Sequence, residues 1–170
     1  MKNQYLFREI KEEEIPQMFD LILKRMKWMD EQGIKQWNVT KYDEVYPLSY
    51  YEEARKRGDV FVLTSVERGE IVCVGVLKER DERWKEDDMP AFYLHHFATM
   101  VGESGAGNVF LSYAEAYAKE KGKMYFRLDS AVDNEKLTTY YEKQGFMPVG
   151  YCVDGMYEGI LRQKKLYEEE

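Results

Sequence analysis

Apolar and polar positions alternate from Tyr5 to Ile10, which predicts a first strand. Glu12 to Glu14 then put acid where a helix begins, a placement that the helix dipole favours. Ile15, Phe19, Ile22, Met26 and Met29 recur at helical spacing, so an amphipathic helix is expected from Ile15 to Met29, closed by Gly33. After Pro47, Ser49 is the expected N-cap of a second helix running through Arg57 and stopped by Gly58. Asp59 to Val66 and Ile71 to Leu77 are apolar and β-branched, and Glu67-Arg68-Gly69-Glu70 joins them as an antiparallel hairpin. Lys78 to Asp88 is charged without periodicity and is expected to be a solvated loop rather than a binding site.

The second half continues the alternation of element types. Ala91 to Met100 predicts a fourth strand. A glycine-rich turn, Val101 to Asn108, leads into a helix whose apolar face is Val109, Phe110, Tyr113, Ala114, Tyr117 and Ala118, closed by Gly122. Met124 to Asp129 predicts a strand and Asn134 to Gln144 a short helix. Met147 to Val153 and Met156 to Leu161, joined across Asp154-Gly155, predict a final hairpin. The order of elements gives a mixed α/β (α+β) fold in a single domain over residues 1–170.

Length and charge narrow the picture. A chain of 170 residues holds one domain with a substantial core, and a net charge of -7 argues against a nucleic-acid partner while leaving room for a cationic substrate. No apolar run is long enough to cross a membrane, and Met1 to Leu6 lacks a signal-peptide core. Cys73 and Cys152 lie in apolar strand patterns with no CxxC spacing, so both are expected as buried thiols in a reducing, cytoplasmic setting.

The turn Val101-Gly102-Glu103-Ser104-Gly105-Ala106-Gly107-Asn108 carries the most pointed chemistry. Glycines let a backbone approach a phosphate closely, and the amides at a helix start favour an anion. A Walker loop is excluded, because Asn108-Val109 stand where Lys and Ser or Thr would follow. Asp129 lies at the spacing of a dinucleotide fingerprint, but only one strand-helix-strand unit follows the turn.

Three stretches, in this order, resemble the GNAT superfamily of acyl-CoA N-acyltransferases. They are Val72-Cys73-Val74-Gly75, the fourth strand running into Gly105-Ala106-Gly107 and a helix, and Asn134 to Phe146. The last is similar to the family's Asn-x-x-Ala-x-x-Phe-Tyr-x-x-x-Gly-Phe signature. The resemblance implies a central mixed sheet of six to seven strands flanked by helices, with the fourth and fifth strands splayed to take CoA. It implies acetyl-CoA as cosubstrate. Phe97, Ala98 and Thr99 would meet the cofactor along the splayed strand. Glu103, Ser104, Gly105, Ala106, Gly107 and Asn108 would meet its pyrophosphate, and Asn134 and Tyr141 would also contact it. One departure stands out: Gly102 occupies the family's Arg or Gln position, and Glu103 adds a negative charge beside it.

The resemblance also implies direct transfer to an amine. Tyr141 matches the family's tyrosine and would protonate the departing thiolate, or else it is a core tyrosine, as Tyr140 is expected to be. Tyr93 and His95 fall where serotonin N-acetyltransferase-like members carry paired histidines. His95 would then be the base and Tyr93 a relay, or His95 only bonds within the sheet. Plain strand alternation places His95 with Tyr93, Phe97 and Thr99, and leaves His96 on the other face as a structural residue. The two neighbouring histidines therefore suggest no metal site. Asn134 contacts the cofactor or caps its helix. Trp37 and Tyr93 are candidate walls of a substrate pocket, although Trp37 equally suits a connector. The expected activity is N-acetylation of a small-molecule or peptide amine. A CoA-binding sensor without turnover and a longer-chain acyltransferase are the alternatives. Final strands in this family often pair, so a homodimer is among the expectations.

Overall fold

The computed structural model describes residues 4–34, 38 and 41–167, which form two compact units. One is drawn from the residues up to Leu77 together with His96–Tyr113, the other from Lys78–His95 and from Ala114 onward. Trp37 lies outside the described residues.

In the first unit, β1 (Tyr5–Glu9) pairs antiparallel with β2 (Val60–Ser65), from Tyr5 opposite Ser65 to Glu9 opposite Phe61. β2 pairs antiparallel with β3 (Ile71–Lys78), with an irregularity between Leu63 and Thr64. β2 is buried along its whole length because both of its faces are covered, which is why its sequence is continuous rather than alternating. On one side Val60 and Val62 join Ile15, Met18 and Ile22 of α1 (Ile15–Glu31) and Tyr51 and Ala54 of α3 (Leu48–Lys56). On the other, Phe61 stacks on Phe7, whose ring also meets Phe110 and Tyr113 of α4 (Ala106–Glu120). A single 3-10 turn, Glu12–Glu14, precedes α1, and Glu14 accepts a two-pronged hydrogen bond from Arg8, each at 2.8 Å. That bond is the main reason the Glu14 carboxyl sits below its ordinary pKa.

Two local expectations change here. A four-residue helix, α2 (Tyr42–Val45), was not expected from periodicity. Pro47 rather than Ser49 takes the N-cap place of α3, so Ser49 lies within its first turn; the φ of -73° at Pro47 already suits entry to a helix.

In the second unit, the start of β4 (Ala91–Thr99) pairs parallel with β5 (Tyr125–Ala131), from Ala91 opposite Tyr125 to Tyr93 opposite Arg127. β5 continues to Ala131 against β7 (Tyr157–Lys165), which pairs in turn with β6 (Met147–Asp154). The final strand begins at Tyr157 rather than Met156, which is 87% exposed in the turn, and runs on to Lys165. Gly159 is required by close approach, since a Cβ there would come within 2.7 Å of the Tyr157 ring and 2.9 Å of the Cys152 sulfur. α5 (Glu135–Lys143) buries Tyr141, while Tyr140 is half-buried, the reverse of the expected core tyrosine. Cys73 is buried as expected, but Cys152 is only half-buried because β6 is an edge strand.

The seven strands follow the order β1-β2-β3-β4-β5-β7-β6, a mixed sheet flanked by helices. β4 carries one irregular residue: His96 has a φ of 54°, a left-handed conformation in mid-strand. Burial nonetheless alternates across it as expected: His95, Phe97 and Thr99 are half-buried, while His96 and Ala98 are buried. Among the described residues, no helix is long and apolar enough to cross a membrane.

Candidate active site

The first unit carries the glycine turn. Gly102 and Gly105 have φ of 88° and 85°, and a Cβ at either would meet nothing within 4 Å. The backbone angle, not crowding, is what calls for glycine. Gly105 directly precedes α4, while Ala106 and Gly107 are buried in its first turn and Asn108 is exposed. The first amides of a helix have no carbonyl within it to bond, so this arrangement fits a phosphate-bearing ligand. The Glu103 amide is already used, donating to the Met100 carbonyl at 3.1 Å.

The negative charge of Glu103 does not stand alone. Arg68, on the β2–β3 turn, donates from Nη2 to Oε2 at 2.9 Å, and the Tyr5 hydroxyl donates to Oε1 at 3.0 Å. The Arg68 hydrogen bond is the main cause of a lowered Glu103 pKa. Phe97 tilts against Phe110 with ring centroids 5.5 Å apart, and Ala98 lies in the core with α1 and α3. The Thr99 carbonyl accepts from Arg25 through Nε at 3.1 Å and Nη2 at 2.5 Å, so part of the expected cofactor edge is held by a guanidinium. Neither arginine stood out in the sequence, because each acts across a distance in chain that no motif spans.

His96 is 6% exposed and is surrounded by tyrosine rings from α2 and α3 and the residues joining them. Ring centroids of Tyr42, Tyr46, Tyr50 and Tyr51 lie at 5.2, 4.5, 5.0 and 5.2 Å from the imidazole. Its Nδ1 meets the hydroxyls of Tyr42 and, at 3.2 Å, Tyr51. The signal for this cluster was present in the sequence as Tyr42, Tyr46 and Tyr50 spaced four apart.

The second unit carries His95, Tyr93, Asn134 and Tyr141. His95 Nε2 lies 2.9 Å from Asp81 Oδ2, and the Asp81 side chain is 6% exposed. Oδ1 of Asp81 accepts from the Arg83 amide at 2.9 Å. Burial pushes the Asp81 carboxyl up, but the hydrogen bond and charge of His95, with the amide and charge of Arg83, leave it below its ordinary value. The loop read as merely solvated thus supplies the partner of the candidate base, and this too corrects the sequence-based view.

Asp129 adjoins the pair. Ligand atoms of Asp81, His95 and Asp129 all fall within 4.8 Å of one another, a grouping that sequence spacing did not reveal. Asp129 Oδ2 accepts from Tyr157 at 2.5 Å and lies 3.4 Å from Arg83 Nη1, while Arg83 Nη2 reaches Asp154 at 3.0 Å. Burial first, and then the Asp129 carboxylate, raise the Tyr157 pKa, which keeps that phenol a donor. The guanidinium already supplies positive charge to this network.

Tyr93 is buried, and its oxygen accepts from Arg127 Nη1 at 2.7 Å. Arg127 is further gripped by Asp87 at 3.2 and 2.8 Å and lies over the Trp84 ring. Tyr141 packs edge-on against Phe146, with centroids 5.9 Å apart. Asn134 caps α5, its Oδ1 accepting from the Leu137 amide at 3.1 Å.

No family model matches the chain. It is 26% identical over 144 residues to the uncharacterized N-acetyltransferase YesJ of Bacillus subtilis (strain 168), covering 79% of this chain and 77% of that protein. Among solved structures, a GNAT-family acetyltransferase from Listeria monocytogenes aligns with a TM-score of 0.77 at 22% identity, covering 97% of this chain and 98% of that one. PaiA N-acetyltransferase from Thermoplasma acidophilum, in complex with coenzyme A, aligns at 0.75 and 17%, covering 95% and 99%. YncA from Salmonella typhimurium, with its cofactor acetyl-CoA, aligns at 0.67 and 16%, covering 98% and 96%. These likenesses establish the fold: the chain adopts that of the GNAT-superfamily N-acetyltransferases.

Proposed function

We propose that residues 1–170 form one acetyl-CoA-dependent N-acetyltransferase domain acting on a primary amine of a small molecule or peptide. The observation that carries this reading is the pair of left-handed glycines immediately before α4, on a fold shared with acetyltransferases described with CoA and acetyl-CoA. A shared fold alone would not select the reaction.

Acetyl-CoA would supply an activated acyl thioester. The amides of Ser104 to Asn108 are assigned to its pyrophosphate, with Phe97, Ala98, Thr99, Asn134 and Tyr141 as further contacts. Arg68 offsets the Glu103 charge beside the turn, where the family's motif has an arginine or glutamine. His95 is assigned as proton acceptor from the ammonium substrate. The Asp81 carboxylate, 2.9 Å from Nε2, would steady the positive charge that the ring gains. Tyr141 is assigned as proton donor to the departing sulfur. The apolar side chains Met147, Val149, Tyr151 and Val153, all exposed along edge strand β6, support a homodimer, which sedimentation at micromolar concentration would test.

The deciding experiment is thiol release from acetyl-CoA against a panel of amines, with the wild-type protein and with His95→Ala. Turnover reduced at least about tenfold in the variant supports both the reaction and the base. Turnover unchanged removes His95 from that role. Gly102 at the family's Arg or Gln position favours one second reading, a CoA sensor. Acetyl-CoA raising the Tm with no amine acetylated would select it.

A further inference from the structure

Arg25, on α1, is half-buried, and no carboxylate among the described residues neutralises it. Arg8, Arg57 and Arg68 of the same unit each meet one, at 2.8, 3.2 and 2.9 Å. Arg25 instead gives Nε and Nη2 to a single oxygen, the Thr99 carbonyl, at 3.1 and 2.5 Å. Its guanidinium carbon lies 4.6 Å from the centre of the Trp28 ring. A carbonyl carries only a partial negative charge, and an aromatic face less, so these two partners compensate the cation poorly compared with an anion. Burial accordingly lowers the Arg25 pKa.

The guanidinium is tied to the end of β4. Thr99 is the last residue of that strand, Gly102 follows three positions on, and Gly105 directly precedes α4. A carbonyl oxygen has two lone pairs, and two N–H groups converge on this one, so it has no acceptor capacity left for a ligand. The same two bonds use only part of a guanidinium that carries five N–H groups. The bonding character of the strand's end is thereby reversed: where a bare carbonyl would accept, a positively charged fork donates. The group that complements it is an anionic oxygen. The other cation found beside the turn, Arg68, is committed to Glu103, and Gly102 brings no side chain of its own.

We propose that Arg25 is a cofactor-binding residue whose guanidinium, fixed by the Thr99 carbonyl and Trp28, takes a pyrophosphate oxygen of acetyl-CoA in place of the side chain that Gly102 lacks. The proposal rests on the acetyltransferase reading and adds a residue from α1 to its cofactor site. Trp28 is a positioning residue acting through Arg25.

The test measures acetyl-CoA binding by calorimetry for wild type, Arg25→Gln and Arg25→Lys, each at low and at high NaCl. S-acetylpantetheine, which carries the thioester without the pyrophosphate, is the second probe. At low salt Arg25→Gln should bind acetyl-CoA about tenfold more weakly, and Arg25→Lys, which keeps the charge but not the fork, should fall between the two. Salt screens a charge contact, so the gap between wild type and Arg25→Gln should shrink as NaCl rises. S-acetylpantetheine should not distinguish the three proteins. In turnover, KM for acetyl-CoA should rise by a similar factor at nearly constant kcat, the mark of a lost binding contact. Arg25 also ties α1 to β4, and a variant weakened only by loosening that tie would show a deficit that salt does not change, or one equally large with S-acetylpantetheine. Either result overturns the proposal, as does acetyl-CoA binding that is unchanged or tighter in Arg25→Gln. Wild-type protein that binds no acetyl-CoA at all would instead refute the acetyltransferase reading on which the proposal rests.

Discussion

Asp81→Asn isolates the charge that holds His95. The substitution preserves the shape and the acceptor for the Arg83 amide, and it removes the anion 2.9 Å from His95 Nε2. A hydrogen bond involving a charged group contributes about 1.5–3 kcal/mol. Taking the lower end, about 1.5 kcal/mol, a chain of this size should lose about 3–6 °C in Tm at pH 7. The pH dependence identifies the cause. Asp81 is depressed in the folded state, so its contribution is complete above the ordinary aspartate pKa of about 3.9 and fades as pH falls through the lowered native value. Thermal unfolding of both proteins, stepped from pH 7 to the lowest pH with a cooperative transition, should show the gap closing on the acid side. A gap of constant size down to that limit would show that the loss comes from packing rather than charge, and no gap at pH 7 would refute the pairing altogether. In the acetyltransfer assay, the same variant should lower kcat about 100-fold without changing acetyl-CoA affinity, because a misoriented imidazole binds nothing of the cofactor.

Two further outcomes follow from the same geometry. Arg68→Ala should weaken acetyl-CoA binding and Glu103→Gln should strengthen it, with the double variant near wild type; calorimetry that finds both single variants unchanged would show that this ion pair lies outside the cofactor's field. Burial pushes the Cys152 thiol up to about 11 and raises Cys73 as well, so native protein at pH 7 should react slowly with iodoacetamide at both positions and rapidly after unfolding; fast native labelling of either would contradict that burial.

Much of the architecture could be read in the sequence because it depends on local periodicity. The three-to-four spacing of Ile15 to Met29 yields α1, the apolar runs of β2 and β3 yield a hairpin, and Asn134 caps α5 at the expected place. The glycine turn was equally legible, since a left-handed angle at Gly105 is a property of that residue. Alternation along β4 predicted which of His95 to Thr99 are buried, but not the left-handed angle at His96, which is packed by four tyrosine rings. The charged loop was misread for a related reason: Asp81 and Arg83 look solvated until the chain returns His95 and Asp129 to them. Sequence by itself determined most of the elements, their order and the glycine turn, all set by spacing within a few residues. Tertiary structure alone decided which charges meet, Asp81 with His95 and Arg68 with Glu103, and which phenols surround His96. Coulomb attraction and burial depend on distance in space, and distance along the chain does not encode it.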